Sequence, residues 1–250
     1  MNNNLIQYIF GIADNCLILG QRLGELCGHG PSLETDIALT NISLDLLGQT
    51  RSYYQYVAQL QGGDVTEDTV AFLRVENQYL NTLLVEQPNT DFGYSIARQF
   101  LFDVFHLLLL EELQNSKDEN LSAIAKKSIK EVLYHKRFSS DWIKRLGDGT
   151  DESHNRIQTA INDLWIFTDE LFHQTDADKA MVLEGIGADV TLLKTKYYKE
   201  VSEILEEATL QTPQIEYFQK GGKQGIHSEH MGYILTELQY MQRTYPNMTW

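Results

Sequence analysis

The segment Leu39–Leu60, LTNISLDLLGQTRSYYQYVAQL, decides the fold. Leu39, Ile42, Leu46, Gln49, Tyr53, Tyr56 and Leu60 recur at spacings of three and four, the period of one helix face, and no alternation of β-branched residues competes with it. Upstream, Ser32 is placed to cap the first turn, and Gly62-Gly63-Asp64 ends the run. The spacing therefore predicts a long amphipathic helix with a mostly apolar inner stripe.

The same period runs outward from it. Ile9, Ile12, Cys16, Leu19, Leu23 and Leu26 predict a first helix from Leu5 to Cys27, broken by Gly28-His29-Gly30-Pro31. A third helix is expected from a Thr66 cap to the residue before Pro88, whose fixed φ and missing N–H end helices. Asn89-Thr90-Asp91 offers caps for a fourth, with Ile96, Phe100, Asp103, Leu107 and Leu110 on one face. The fifth, Asp118 to Leu146, carries Ile124, Ser128, Val132, His135, Trp142 and Leu146 and stops at Gly147-Asp148-Gly149. Further helices are expected over Thr150–Phe172, Asp189–Ala208 and Ser228–Gln242, the last entered through Pro213 and Gly221-Gly222. Two long helices, a crossover, then two more is the order of a ferritin-like four-helix bundle with additional peripheral helices, and the fold class is all-α. No linker or internal repeat divides the chain, so 1–250 reads as a single domain.

Composition agrees. The chain is 42% hydrophobic, has four prolines and carries a formal charge of −15, which argues against a nucleic-acid backbone binder. No stretch is long and apolar enough to span a bilayer; Phe105–Leu110 is too short, and Met-Asn-Asn-Asn is no signal peptide. A cytoplasmic protein is expected, with Cys16 and Cys27 as reduced core thiols.

A bundle of this kind holds a di-iron centre with a Glu from each of two helices and a Glu-x-x-His pair from each of the others. No Glu stands three residues before a His on a core helix here. The nearest imitations are Asp103-x-x-His106 and Glu131 with His135. One reading makes Asp103 and His106 half a metal site. The reading we prefer is a buried Asp hydrogen-bonded to a neighbouring helix and a His at the bundle surface, with His135 a core histidine held by hydrogen bonds. The first two helices offer Leu19, Leu46 and Gln49 where donors would be needed, and a leucine cannot ligate.

Five segments resemble one family: GIADNCLILGQRLGEL (Gly11–Leu26), NISLDLLGQTR (Asn41–Arg51), LVEQPN (Leu84–Asn89), IKEVLYHKRFS (Ile129–Ser139) and GGKQGIHSEHMGYILTELQYMQR (Gly221–Arg243). They resemble the PaaC components of the bacterial phenylacetyl-CoA epoxidases of phenylacetate catabolism, and the likeness runs through Trp250. It implies a ferritin-like, non-catalytic structural subunit that pairs with a homologous catalytic di-iron subunit, PaaA, in a monooxygenase complex that includes a flavin and iron–sulfur reductase. Alone, the chain could form a homodimer. Laying the catalytic subunit's pattern on this sequence puts Leu46 in place of a glutamate, Gln49 in place of a histidine and Val132 in place of a second glutamate. His135 survives, the first-helix glutamate falls near Leu19, and the fourth-helix carboxylate falls near Asp103. The resemblance thus implies a degenerate di-iron site, no metal and no cofactor in this subunit, and no catalytic residues.

Other readings stay open. Lys220, Gly221, Gly222 and Lys223, with His227, Glu229 and His230, form either a subunit-contact loop or a turn that grips a phosphate of coenzyme A. The chain would then be a CoA-thioester binding module. A self-sufficient metalloenzyme around Asp103, His106 and His135 is the other alternative. Tyr53, Tyr54 and Tyr56 read as packing, and Glu200, Glu203, Glu206 and Glu207 as a solvated helix face.

Overall fold

The computed structural model describes residues 2–246 and 248; Met1 and Trp250, which enter the sequence reading above, lie outside the described residues. Four long helices form the bundle: α1 (Asn2–Gly24), α2 (Leu33–Gln61), α5 (Phe92–Leu113) and α6 (Glu119–Gly147). Between them stand α3 (Glu67–Phe72) and α4 (Leu83–Glu86). After them come α7 (Asp151–Trp165), α8 (Asp176–Glu184), α9 (Val190–Glu207) and α10 (Glu229–Thr244). No strand occurs among the described residues. The fold is all-α and ferritin-like, with α1 packed chiefly on α2 and α5 on α6. One continuous apolar cluster, from Leu5 through Leu235, fills the interior.

Caps behave as the sequence suggests. Ser32 accepts from Thr35 N, Asp91 from Tyr94 N at 2.7 Å and Asp118 from Leu121 N, each satisfying a first-turn N–H that has no helical partner. Helix α5 is buried almost all round, which is why its sequence is apolar on every face rather than striped.

Three expectations are corrected. The helix foreseen from Thr66 to Pro88 is instead α3, a 3₁₀ turn at Glu76–Gln78, and the single turn α4. The intervening backbone is drawn into α1: Asp14 accepts from Leu80 N at 2.8 Å, and Asn15 Oδ1 accepts from Thr82 N at 2.9 Å. These bonds use N–H groups that a continuing helix would need for itself. The helix foreseen over Thr150–Phe172 ends at Trp165 and continues as the 3₁₀ turn Thr168–Phe172. Helix α8, capped reciprocally by Thr175 and Asp178 and ended by left-handed Gly185, was not foreseen. Of the two thiols, Cys16 is buried but Cys27 is exposed in the turn after α1.

Candidate functional site

The centre of the bundle brings together side chains from all four long helices. Leu19 on α1, Leu46 on α2 and Val132 on α6 are completely buried. Around them runs a thin polar seam. Gln49 Nε2 donates to Glu131 Oε2 at 3.2 Å, and Cys16 Sγ lies 4.0 Å from Gln49 Oε1 and 3.8 Å from His106 Nε2. His135 Nε2 meets Asp45 Oδ2 at 3.0 Å. Asp103 accepts from Gln99 Nε2 at 2.6 Å within α5 and from Ser139 Oγ at 2.8 Å across on α6.

Burial sets the protonation of this seam. Desolvation pushes the Asp103 carboxyl up to about 7, against the pull of nearby His135 and its two hydrogen bonds. It pushes His106 down to about 3, helped by repulsion from His135. The Cys16 thiol is driven upward by burial and by Asp14, so it stays protonated and unreactive. His106 is buried, not at the bundle surface as expected, because α5 is enclosed on every side. Four buried atoms of this region have no hydrogen-bond partner: Tyr53 Oη, Gln99 Oε1, His106 Nδ1 and His135 Nδ1.

A di-iron centre does not fit this donor set. Hydrocarbon fills three of the positions that would need oxygen or nitrogen, Gln49 offers an amide, and both oxygens of Asp103 already hold protein donors. Among the described residues, no three His, Cys, Asp or Glu side chains are grouped so as to hold a metal ion. Five surface clefts of about 300–630 Å³ dent the molecule, and none is lined by Asp103, His106 or His135.

The glycine-rich segment lies elsewhere, beneath α10. Its N–H groups point inward to Glu170: Gly221 N donates at 2.7 Å and Lys223 N at 3.4 Å, while the other carboxylate oxygen takes Leu83 N at 2.7 Å. The Lys223 ammonium is held by His173 O and by Asp178 Oδ2 at 2.9 Å. A Cβ on Gly222 would run into Asn81 O, and Gly225 sits at φ +75, so this turn needs glycine to press against the Asn77–Leu83 backbone. His227 bridges Glu86 Oε2 at 2.8 Å and Tyr79 O at 2.9 Å, and Ser228 N donates to Glu86 Oε1 at 2.6 Å. Lys220 and Glu229 are exposed and His230 is half-buried. The structure thus joins Gly221, Gly222, Lys223 and His227 to internal carboxylates.

Asp14, Arg74, Glu86 and Glu170 were missed from sequence. Arg74 donates to Asp14 Oδ1 at 2.6 Å and lies between the rings of Phe10 and Tyr79, 4.2 and 4.1 Å from their centroids. Tyr54 Oη also donates to Asp14, which accounts for one of the three tyrosines, while Tyr53 and Tyr54 are both in the core. The available signal was a carboxylate isolated within apolar surroundings, as in Ala13-Asp14-Asn15 and Val85-Glu86-Gln87. Glu170-x-x-His173 has the spacing of a metal pair, but it stands on a 3₁₀ turn and Glu170 is spent on backbone amides.

Fold and interior define a ferritin-like helical bundle whose centre is filled by hydrocarbon and a sparse polar seam. The chain belongs to the family described as phenylacetic acid catabolic protein, which matches it over residues 1–250. It is similar to the C subunit of the 1,2-phenylacetyl-CoA epoxidase of Escherichia coli (strain K12), at 51% identity over 249 residues, covering 99% of this chain and 100% of the relative.

Proposed function

We propose that this chain is the non-catalytic structural subunit of a 1,2-phenylacetyl-CoA epoxidase, supporting a homologous catalytic di-iron subunit in phenylacetate catabolism. The observation that carries the reading is the occupied bundle centre. Leu19, Leu46 and Val132 are fully buried where a metal-binding relative would present ligands, in a chain half identical to a subunit so named. Hydrocarbon there stabilises the bundle, since several buried carboxylates without a metal would each cost a few kcal/mol (about 2–5) unless protonated or paired.

Its contribution is then mechanical. A core without a vacancy and without exchangeable ligands stays rigid whatever the redox state of its partner, and its outer faces hold the catalytic subunit in shape. The subunit itself takes no cofactor, and the complex includes a reductase. It works in the cytoplasm, in keeping with its two unpaired cysteines and with the lack of any described helix long and apolar enough to cross a membrane.

Co-expression with the catalytic subunit of a phenylacetyl-CoA epoxidase tests this. A stable complex whose iron resides in the partner is expected, with the isolated chain retaining no stoichiometric iron after purification from iron-supplemented medium. Near-stoichiometric iron that is lost on His135→Ala would instead establish a self-sufficient metalloprotein.

A further inference from the structure

Helix α6 concentrates positive charge in an acidic protein. Lys126, Lys127, Lys130, Lys136, Arg137, Lys144 and Arg145 all lie on its 29 residues, seven of the chain's 20 cations, against a net charge of −15. Its outer side, with Ile204 of α9, walls a groove of about 630 Å³. Lys130, Lys136, Arg137 and Lys144 line it together with Leu133, Tyr134 and Ser140.

Three observations say that this groove is built for an occupant. Leu133 is 50% exposed and Tyr134 38%, an apolar pair left in water in the middle of a charged face. Ser140 is only 7% exposed, and its hydroxyl, which borders the groove, has no hydrogen-bond partner. Lys136 and Lys144 are paired with Glu200 and Glu207 of α9, but no carboxylate among the described residues lies within ion-pair distance of Lys130 or Arg137. Arg137 rests instead over the Tyr134 ring, 5.8 Å from its centroid.

The spacing identifies the occupant. Lys130, Arg137 and Lys144 stand seven residues apart, so their Cα atoms are separated by about 10 Å along the axis. Leu133 and Tyr134 fall between them at the third and fourth positions of that repeat. A second helix packed at a shallow angle has the same repeat, and places carboxylates at matching intervals with apolar side chains between. A phosphorylated small molecule gathers its charges within a few ångströms and cannot meet three cations so far apart. We propose that the α6–α9 groove docks an acidic amphipathic helix of another polypeptide in the complex, its carboxylates on Lys130 and Arg137 and its apolar stripe on Leu133, Tyr134 and Ile204. The Ser140 hydroxyl then donates to that helix. This rests on the reading of the chain as a subunit, since it requires a partner polypeptide.

The test uses the whole chain and a labelled three-heptad synthetic helix with glutamate at every seventh position and leucines between, followed by fluorescence anisotropy. Binding that weakens about tenfold or more on Arg137→Glu, weakens with added salt, and is unchanged on Lys179→Glu on α8 is the expected result. Circular dichroism checks that each variant keeps the parent's helicity. No binding, equal binding of a scrambled peptide, a change under twofold on Arg137→Glu, or displacement of the peptide by coenzyme A at lower concentration would each overturn it. The two proposals fail separately. Loss of co-purification with the catalytic subunit while the peptide still binds sinks the subunit assignment, and the reverse sinks the groove.

Discussion

The bundle centre and the junction beneath α10 both bury polar side chains, but they satisfy them differently. At the junction, Glu170 and Glu86 each collect donors from segments far apart in the chain, so each carboxylate ties two or three elements together. At the centre, Asp103 is held by one residue of its own helix and one of the next, and four nearby polar atoms have no partner. The junction's polar groups are fasteners. Those of the centre pack between hydrocarbon walls and fasten little, which is the pattern expected where a polar interior has lost the use that once required it.

The strongest way to break this contrast is to put a charge back into the centre. Leu46→Glu buries a carboxylate among Leu19, Val132 and Gln49 with no cation to meet it, and is expected to lower unfolding stability by about 4 kcal/mol in urea titrations at pH 7. If metal-free Leu46→Glu is as stable as the parent, the centre is less closed than its burial indicates.

Next in size is the junction's own carboxylate. Glu170→Ala leaves the N–H groups of Leu83, Gly221 and Lys223 buried without an acceptor, so a loss of about 3 kcal/mol is expected. Ser139→Ala at the centre removes one of two donors to a carboxyl that burial already holds near neutrality, and about 1 kcal/mol is expected there. Equal losses for the two variants would erase the distinction between fastening and filling.

The same contrast explains what could be read from sequence. The four long helices and the caps Ser32, Asp91 and Asp118 announce themselves because helical period and capping are local, decided within one or two turns. The departure of Leu19, Leu46 and Gln49 from a ligand pattern is local too. The segment between Leu73 and Leu83 is not, for its path is dictated by Asp14 and Asn15, more than sixty residues away. Glu170 looked like part of a metal pair because its three residues of separation from His173 are visible and its bonds to Leu83 and Gly221 are not. The unforeseen α8 carries little apolar stripe, so only its Thr175 cap and Gly185 stop could have marked it.

A smaller effect, that of pH, sharpens the comparison further. His227 at the junction is pulled down by burial but raised overall by its bond to Glu86 and that carboxylate's charge. Its stabilising contribution is therefore complete below the ordinary histidine value of 6.5 and is lost as pH rises through the folded value. His227→Gln should cost about 1–2 kcal/mol at pH 6 and less at pH 8, measured as the shift in urea midpoint.

At the centre two groups act in opposite senses, which makes the parent's own profile the least responsive of all. Asp103 is raised from 3.8 to about 7, so the fold binds its proton more tightly than the unfolded chain does, and stability falls as pH climbs through that window. His106 is lowered from 6.5 to about 3, so the unfolded chain takes the proton first, and stability falls as pH drops through its window. Between about pH 4 and 6.5 the two slopes offset one another. Asp103→Asn keeps a neutral side chain of the same shape and removes only the first slope, so its stability relative to the parent should rise steadily from pH 4.5 to pH 7. His106→Leu removes the second, and its stability relative to the parent should rise as pH is lowered over the same range. Urea titrations of the three proteins at those two pH values decide the matter: parallel profiles would mean that neither group titrates inside the bundle, and that water reaches the centre between Leu46 and Val132.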